Sequence, residues 1–329
     1  MMSANAPLPT DLSLRAKRGR DRLVIVGLLA LVLVGLVGLA SATGWRETWA
    51  QVTRLSGPQI GALLALSLTN YALRGLRWHL FARRIGLRTG LWQNLRHFIG
   101  GFAMSVTPGR VGELVRMRWL RRETGWAFAR TAPLALMDRA SDLAAMAIIL
   151  GLSVAFAAGG IQGAVPVTAL ALTGALVATR PRLLAGLITL IYRATGRLPR
   201  PFARARGAAR SLARFSHGPT LAIALALGLV GWLAEGYAFH LLLVWMGADI
   251  GLWKAVAIFV FSALAGGLTG APGGLGGAEA AMVALLSLDG VGLEISIPAT
   301  AVIRVTTLWF AIGLGMAVFP LAERKSLKV

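Results

Sequence analysis

From Leu23 to Ala42 the chain runs without a charged residue, and about 20 such residues cross ~30 Å of hydrocarbon when helical. Five further apolar runs have comparable length: Gln59–Phe81, Thr131–Ala158, Ala164–Thr179, Thr220–Met246 and Ile297–Pro320. A chain in lipid must satisfy its backbone hydrogen bonds within each segment, so these runs are read as helices. Of 329 residues, 56% are hydrophobic and 14% charged, and the mean hydropathy is +0.69. Soluble domains carry roughly 25% charge. The expected class is therefore an all-α polytopic membrane protein forming one transmembrane domain over residues 1–329.

Two other apolar stretches, Leu91–Leu120 and Leu252–Leu288, are each cut by a proline-glycine cluster. A lipid-facing span does not tolerate such a break unless neighbouring protein covers the freed backbone groups. Re-entrant helical hairpins are the more economical reading. The expected layout is then about six full spans plus two re-entrant helical hairpins.

The net charge of +21 is read as topology rather than as nucleic-acid binding, because Lys and Arg collect on the cytoplasmic side of membrane proteins. With a cytoplasmic N-terminus and hairpins that return to their side of entry, the basic residues of 1–22, Arg77–Arg130, Arg180–Arg214 and the C-terminal tail all fall in the cytoplasm. Only Arg46, Arg54 and Lys254 fall opposite. Both termini are thus expected in the cytoplasm of a bacterial inner membrane. Residues 1–22 followed by the first run also have the layout of a secretory signal, with Ala40-Ser41-Ala42 as a cleavage site. That run exceeds the roughly 7–15 residues of such signals, so retention is expected. Leu183, Leu184, Leu187, Ile188 and Ile191 could form an in-plane amphipathic helix. With no cysteine and no paired histidine spacing, neither a metal nor another cofactor is expected.

The halves of the chain resemble each other. Arg74-Gly75-Leu76-Arg77-Trp78-His79-Leu80 aligns without a gap over Glu235-Gly236-Tyr237-Ala238-Phe239-His240-Leu241, and Gly90-Leu91-Trp92 over Gly251-Leu252-Trp253. Later, Thr107-Pro108-Gly109-Arg110-Val111-Gly112-Glu113 meets the cluster around Pro272, Gly273, Gly276 and Glu279, and Arg139 meets Arg304. Residues 59–158 form repeat A and 220–320 repeat B, joined by a span and basic segment over 164–215. Three spans separate the repeat starts, so the repeats are expected in inverted topology, with hairpin tips meeting at a midplane site.

The candidate site residues are Pro108, Gly109, Arg110, Gly112, Glu113, Asp138, Arg139, Asp142, Glu235, Pro272, Gly273, Gly276, Glu279 and Arg304. Proline stops the incoming helix, glycine permits a tight reversal, and the free N–H groups of the new helix attract anions. Charges within apolar helices cost ~2.5–3.5 kcal/mol on insertion scales, so they pair or line cavities. Asp138 and Asp142 share a helix face by their spacing. Arg139 and Arg304 are expected to contact an anionic headgroup, with Glu113 and Glu279 pairing with them when the site is empty or carrying a coupling proton. Arg74 and Arg77 are read as snorkelling to the interface.

The runs Leu76-Arg77-Trp78, Thr107–Glu113, Asp138-Arg139-Ala140-Ser141-Asp142 and Pro272-Gly273-Gly274-Leu275-Gly276 resemble the flippase-like family, also called the lysylphosphatidylglycerol synthase transmembrane region family. The resemblance implies a lipid flippase moving an anionic or aminoacylated phospholipid between leaflets. A polyprenyl-phosphate glycolipid or hopanoid-type lipid is the alternative cargo, and a lipid-modifying enzyme or a non-transporting scaffold is the alternative role. Because the chain ends at Val329, soon after the last run, no synthase activity is expected. Its partners are then membrane lipids and a separately encoded lipid-synthesis enzyme.

Overall fold

The computed structural model describes residues 50 and 53–327, except 106–110, 158–163, 197–201, 204–205, 208–211, 216 and 270. The first apolar run therefore lies outside the described residues, as do Pro108, Gly109 and Arg110. The described residues are helical, without strands.

Helix α1 spans Gly57–Arg84. Its start is fixed by Pro58 and by Gln59, whose Oε1 accepts the Ser56 N–H at 2.8 Å. Helix α2 (Leu91–Gly100) passes into a 3-10 turn at Gly101–Met104, and α3 (Val111–Thr124) follows the break. Long helix α4 (Phe128–Phe156) leads to α5 (Ala164–Thr179). Next, α6 (Pro181–Thr195) buries none of its residues and exposes Leu183, Leu187, Leu190 and Ile191. Helix α7 (Gly218–Trp245) opens the second half. It is followed by α8 (Leu252–Leu268), a short turn at Pro272–Gly274, and α9 (Gly277–Leu288). The last helix, α10 (Leu293–Ser326), contains a π-helical segment at Val305–Trp309.

Among the described residues three helices are long and apolar enough to cross a membrane: Arg130–Phe156, Gly218–Trp245 and Leu293–Ser326. Although α1 matches α7 in length, it carries Arg74, Arg77, Arg83 and Arg84, which lower its hydropathy. The second Pro-Gly cluster falls between α8 and α9, as expected, while the first lies outside the described residues. At the second, Gly273, Gly274 and Gly276 take φ of 63°, 70° and 80°, a region that L-residues with a Cβ rarely enter.

Glycine also closes both breaks. A Cβ on Gly112 would lie 2.4 Å from the carbonyl oxygen of Gly101. At the second break, a Cβ on Gly266 would lie 2.9 Å from the Gly274 oxygen and 2.8 Å from the Ala278 Cβ. Gly101 precedes Gly112 by the same interval as Gly266 precedes Gly277, although a Cβ on Gly277 would meet the Gly266 Cα, at 3.4 Å, rather than its oxygen.

Helix α1 packs most extensively along α7. Polar side chains of α1 fit there because α7 is notched: Cβ atoms on Gly228 and Gly231 would meet Arg77 Nη1 at 3.0 Å and Asn70 Oδ1 at 2.6 Å. One apolar core joins α7–α9 to α4, and a second, rich in aromatics, gathers Trp78, Phe81, Phe98 and Phe102. Helix α10 touches both halves, packing on α9 near its start and on α2, the 3-10 turn and α3 further along.

Candidate functional site

A cavity of about 460 Å³ lies between the two interrupted helix pairs. Helices α1, α3, α4, α7 and α10 supply its charged lining: Arg74, Glu113, Arg116, Arg139, Glu235 and Arg304. Phe259, Met282, Leu308 and Ala311 contribute apolar wall.

Two ion pairs of the same kind stand at this space. Arg139 Nε donates to Glu113 Oε1 at 2.5 Å, and Arg304 Nε donates to Glu279 Oε1 at 2.5 Å. Each arginine lies on a long helix, and each glutamate in the first turn of the helix after a break. There the carboxylate complements the positive end of the helix dipole. Each helix start therefore already carries its own anion. Arg304 also donates from Nη2 to the Gly273 carbonyl at 2.9 Å, pinning the turn itself. The pairs differ in access: the Arg139 and Glu113 side chains are 38% and 19% exposed, those of Arg304 and Glu279 11% each.

Asp138 and Asp142 do share a face, and it is directed at α1. Arg77 Nη2 lies 2.6 Å from Asp138 Oδ1 and 2.7 Å from Asp142 Oδ1, and Arg74 Nη2 lies 2.6 Å from Asp142 Oδ2. Trp232 Nε1 donates to Asp142 Oδ1 at 3.2 Å. The snorkelling expected of Arg74 and Arg77 is therefore corrected. The Arg77 side chain is fully buried, because Gly228 leaves room for it and two carboxylates neutralise it.

Of the residues picked from sequence, Gly112, Glu113, Arg139, Glu235, Gly273 and Arg304 line the cavity. Glu279 stands behind Arg304, and Asp138 and Asp142 behind Arg74 and Arg77. Pro272 opens the second turn, and Gly276 ends it without lining the space.

Sequence reading missed Arg116, Tyr71 and Trp232, all of which line the cavity. Arg116 belongs to the basic stretch assigned to the cytoplasm, yet it is 3% exposed and lies 4.2 Å from the Phe98 ring centroid. Its phase was visible: Val115, Arg116, Trp119 and Leu120 are buried while Arg118 and Arg121 are exposed. The Tyr71 hydroxyl donates to the Thr307 carbonyl in the π segment, where the widened turn frees a backbone oxygen.

Residues 23–315 match the model of the lysylphosphatidylglycerol synthase TM region, which covers the cavity, both breaks and all four residues of the two ion pairs. The chain belongs to this family. Membership agrees with the helical, apolar architecture of a multi-pass membrane protein and points to a role in lipid biology. The chain is also 28% identical over 101 residues to a UPF0104 membrane protein of Methanothermobacter thermautotrophicus. That stretch covers 31% of this chain and 30% of the relative's length.

Proposed function

We propose that this member of the family is a lipid translocator that passes a phospholipid headgroup between leaflets through the cavity. The observation that carries this reading is the pair of matched contacts, Arg139–Glu113 and Arg304–Glu279, whose arginines both line one cavity. A phosphate entering from one side can replace one carboxylate on its arginine while the other pair keeps the far side closed. Such exchange keeps each arginine compensated, while the displaced carboxylate retains the positive helix end in whose first turn it sits. A volume of about 460 Å³ is in the range of small-molecule sites. It suits a headgroup whose acyl chains stay in the bilayer.

In this reading the two interrupted pairs are re-entrant hairpins in inverted repeats, the arrangement in which transporters build midplane sites from broken helices. The protein sits in a bacterial inner membrane with both termini cytoplasmic, does no bond chemistry, and receives its lipid from a separate synthesis enzyme. Phospholipid, anionic or aminoacylated, is the leading cargo, followed by a polyprenyl-phosphate glycolipid or a hopanoid-type lipid.

The test is leaflet exchange of fluorescent phospholipids in liposomes carrying the purified protein. Exchange above protein-free liposomes is expected, and it should vanish in a monodisperse Arg139→Ala/Arg304→Ala variant. Undiminished exchange in that variant refutes the site.

A further inference from the structure

The charges around the cavity pair off, with two exceptions. Arg74 and Arg77 are held by Asp138 and Asp142, Arg139 by Glu113, and Arg304 by Glu279. That leaves Arg116 and Glu235, which both line the cavity and make no ion pair among the described residues.

Arg116 is 3% exposed, and its buried Nε has no hydrogen-bond partner. Its guanidinium lies among the rings of Phe98, Phe102 and Trp78 at 4.2, 5.4 and 5.6 Å. Its charged neighbours Asp138, Arg139, Glu113 and Arg74 are committed elsewhere. The absence of a side chain at Gly101 makes room for it: a Cβ there would fall 2.2 Å from Arg116 Nε. Ring faces stabilise a cation but cannot accept its N–H groups as an oxyanion does.

Glu235 is the converse. It is 4% exposed, and its cationic neighbours Arg74 and Arg304 already hold Asp142 and Glu279. Asn70 beside it offers an amide but no charge. In the alignment of the halves Glu235 stands where the first half has Arg74, so the cavity walls are matched in their ion pairs and opposed in sign here. Among the described residues the cluster balances, and its two free charges have opposite sign.

A monoanion bound in this cavity satisfies Arg116 and leaves Glu235 bare, while a monocation does the reverse. A group carrying both charges satisfies both, and a buried charge without a partner is what a membrane interior penalises most. We propose that the cavity recognises a zwitterionic phospholipid headgroup, its phosphodiester on Arg116 and its ammonium on Glu235. This rests on the translocator reading above and narrows its cargo to headgroups with one phosphate and one ammonium.

The test is calorimetric binding to the full-length protein in detergent, using dihexanoyl phosphatidylethanolamine, dihexanoyl phosphatidylglycerol and inorganic phosphate. The ethanolamine lipid should bind at least roughly tenfold more tightly than the glycerol lipid, the factor that one charge-assisted hydrogen bond supplies. Glu235→Gln should bring the two lipids within about twofold of each other, and Arg116→Gln should weaken both. Equal or tighter binding of the glycerol lipid by the unaltered protein overturns the proposal, as does inorganic phosphate binding as tightly as the ethanolamine lipid. A monodisperse Glu235→Gln protein that keeps the tenfold preference also overturns it. If that preference and its dependence on Glu235 hold while liposomes show no leaflet exchange, the recognition site stands and the translocator reading falls. Exchange without the preference overturns the zwitterion site and leaves the translocator reading in place.

Discussion

The sharpest structural test is Gly112→Ala, a change of one methyl group at the start of α3. The added Cβ would sit 2.4 Å from the Gly101 carbonyl oxygen and 3.5 Å from the Met104 Cβ. The backbones must part by about 0.6 Å merely to reach 3.0 Å, below which real Cβ contacts are essentially never found. The obstructing atom is backbone, so no side-chain rotation relieves it. Overpacking of this kind costs about 1–3 kcal/mol, equivalent to a fall in Tm of roughly 2–10 °C for a chain of this size. Because Gly112 precedes Glu113, the displacement also pulls the carboxylate from Arg139, and leaflet exchange should fall with Tm. Gly61→Ala is the matched control: it lies in the second turn of α1 with nothing within 4 Å of its Cβ. There alanine should be neutral or stabilise by about 0.5–1 kcal/mol. Both variants would be purified in one detergent and melted side by side by circular dichroism. A Gly112→Ala protein melting at or above the Gly61→Ala protein would refute the claim that the first break is closed by glycine.

Arg77→Met should be among the most damaging substitutions, since it strands Asp138 in the core at a cost of roughly 3–5 kcal/mol; Arg77→Met/Asp138→Leu should recover most of the lost Tm, and no recovery would count against the pairing. Glu279→Gln and Arg304→Gln should be non-additive, with a coupling of about 0.5–3 kcal/mol in a double-mutant cycle on Tm; additive losses would mean the pair carries no energy. Past the apolar run that ends at Pro320, burial pushes the Glu323 carboxyl up, but hydrogen bonds from Trp119 and Arg122, with the charges of Arg118 and Arg122, outweigh it and hold the group below its usual range. A carboxylate whose folded pKa is depressed stabilises the fold above its unfolded value of about 4.3 and loses that contribution as pH falls further. Tm should therefore drop below about pH 4.3, and Glu323→Gln should make that drop shallower; an unchanged acid limb would exclude the contact as its source.

The breaks were legible in the sequence because Pro and Gly act locally. Proline cannot continue the ladder, and positive φ at Gly273 and Gly274 needs no knowledge of distant residues. The Arg139–Glu113 and Arg304–Glu279 pairs were approachable because the repeat brought four unusual charges into register. The fate of Arg74 and Arg77 was not legible. An arginine near a helix end looks the same whether it reaches for water or for a carboxylate far along the chain, and only the Gly228 notch on α7 decides between them. Arg116 was hidden differently, among the basic residues of α3, where composition suggests a solvated face. Its turn-mates Trp119 and Leu120 give the phase away, since helical periodicity assigns Arg116 to their side.

The single helix α10 holds Arg304 against the second break and, beyond its π segment, sets Gly315 against the backbone of Phe102 and Ala103 at the first. Its end is tied to α3 through Glu323. A helix attached at both breaks couples them: rotation that loosens Arg304 from Glu279 turns Gly315 and Glu323 as well. The extra residue in the π segment sets the angular offset between the two attachments. Deleting one residue from Val305–Trp309 would therefore put the two attachments out of phase without removing a charged residue.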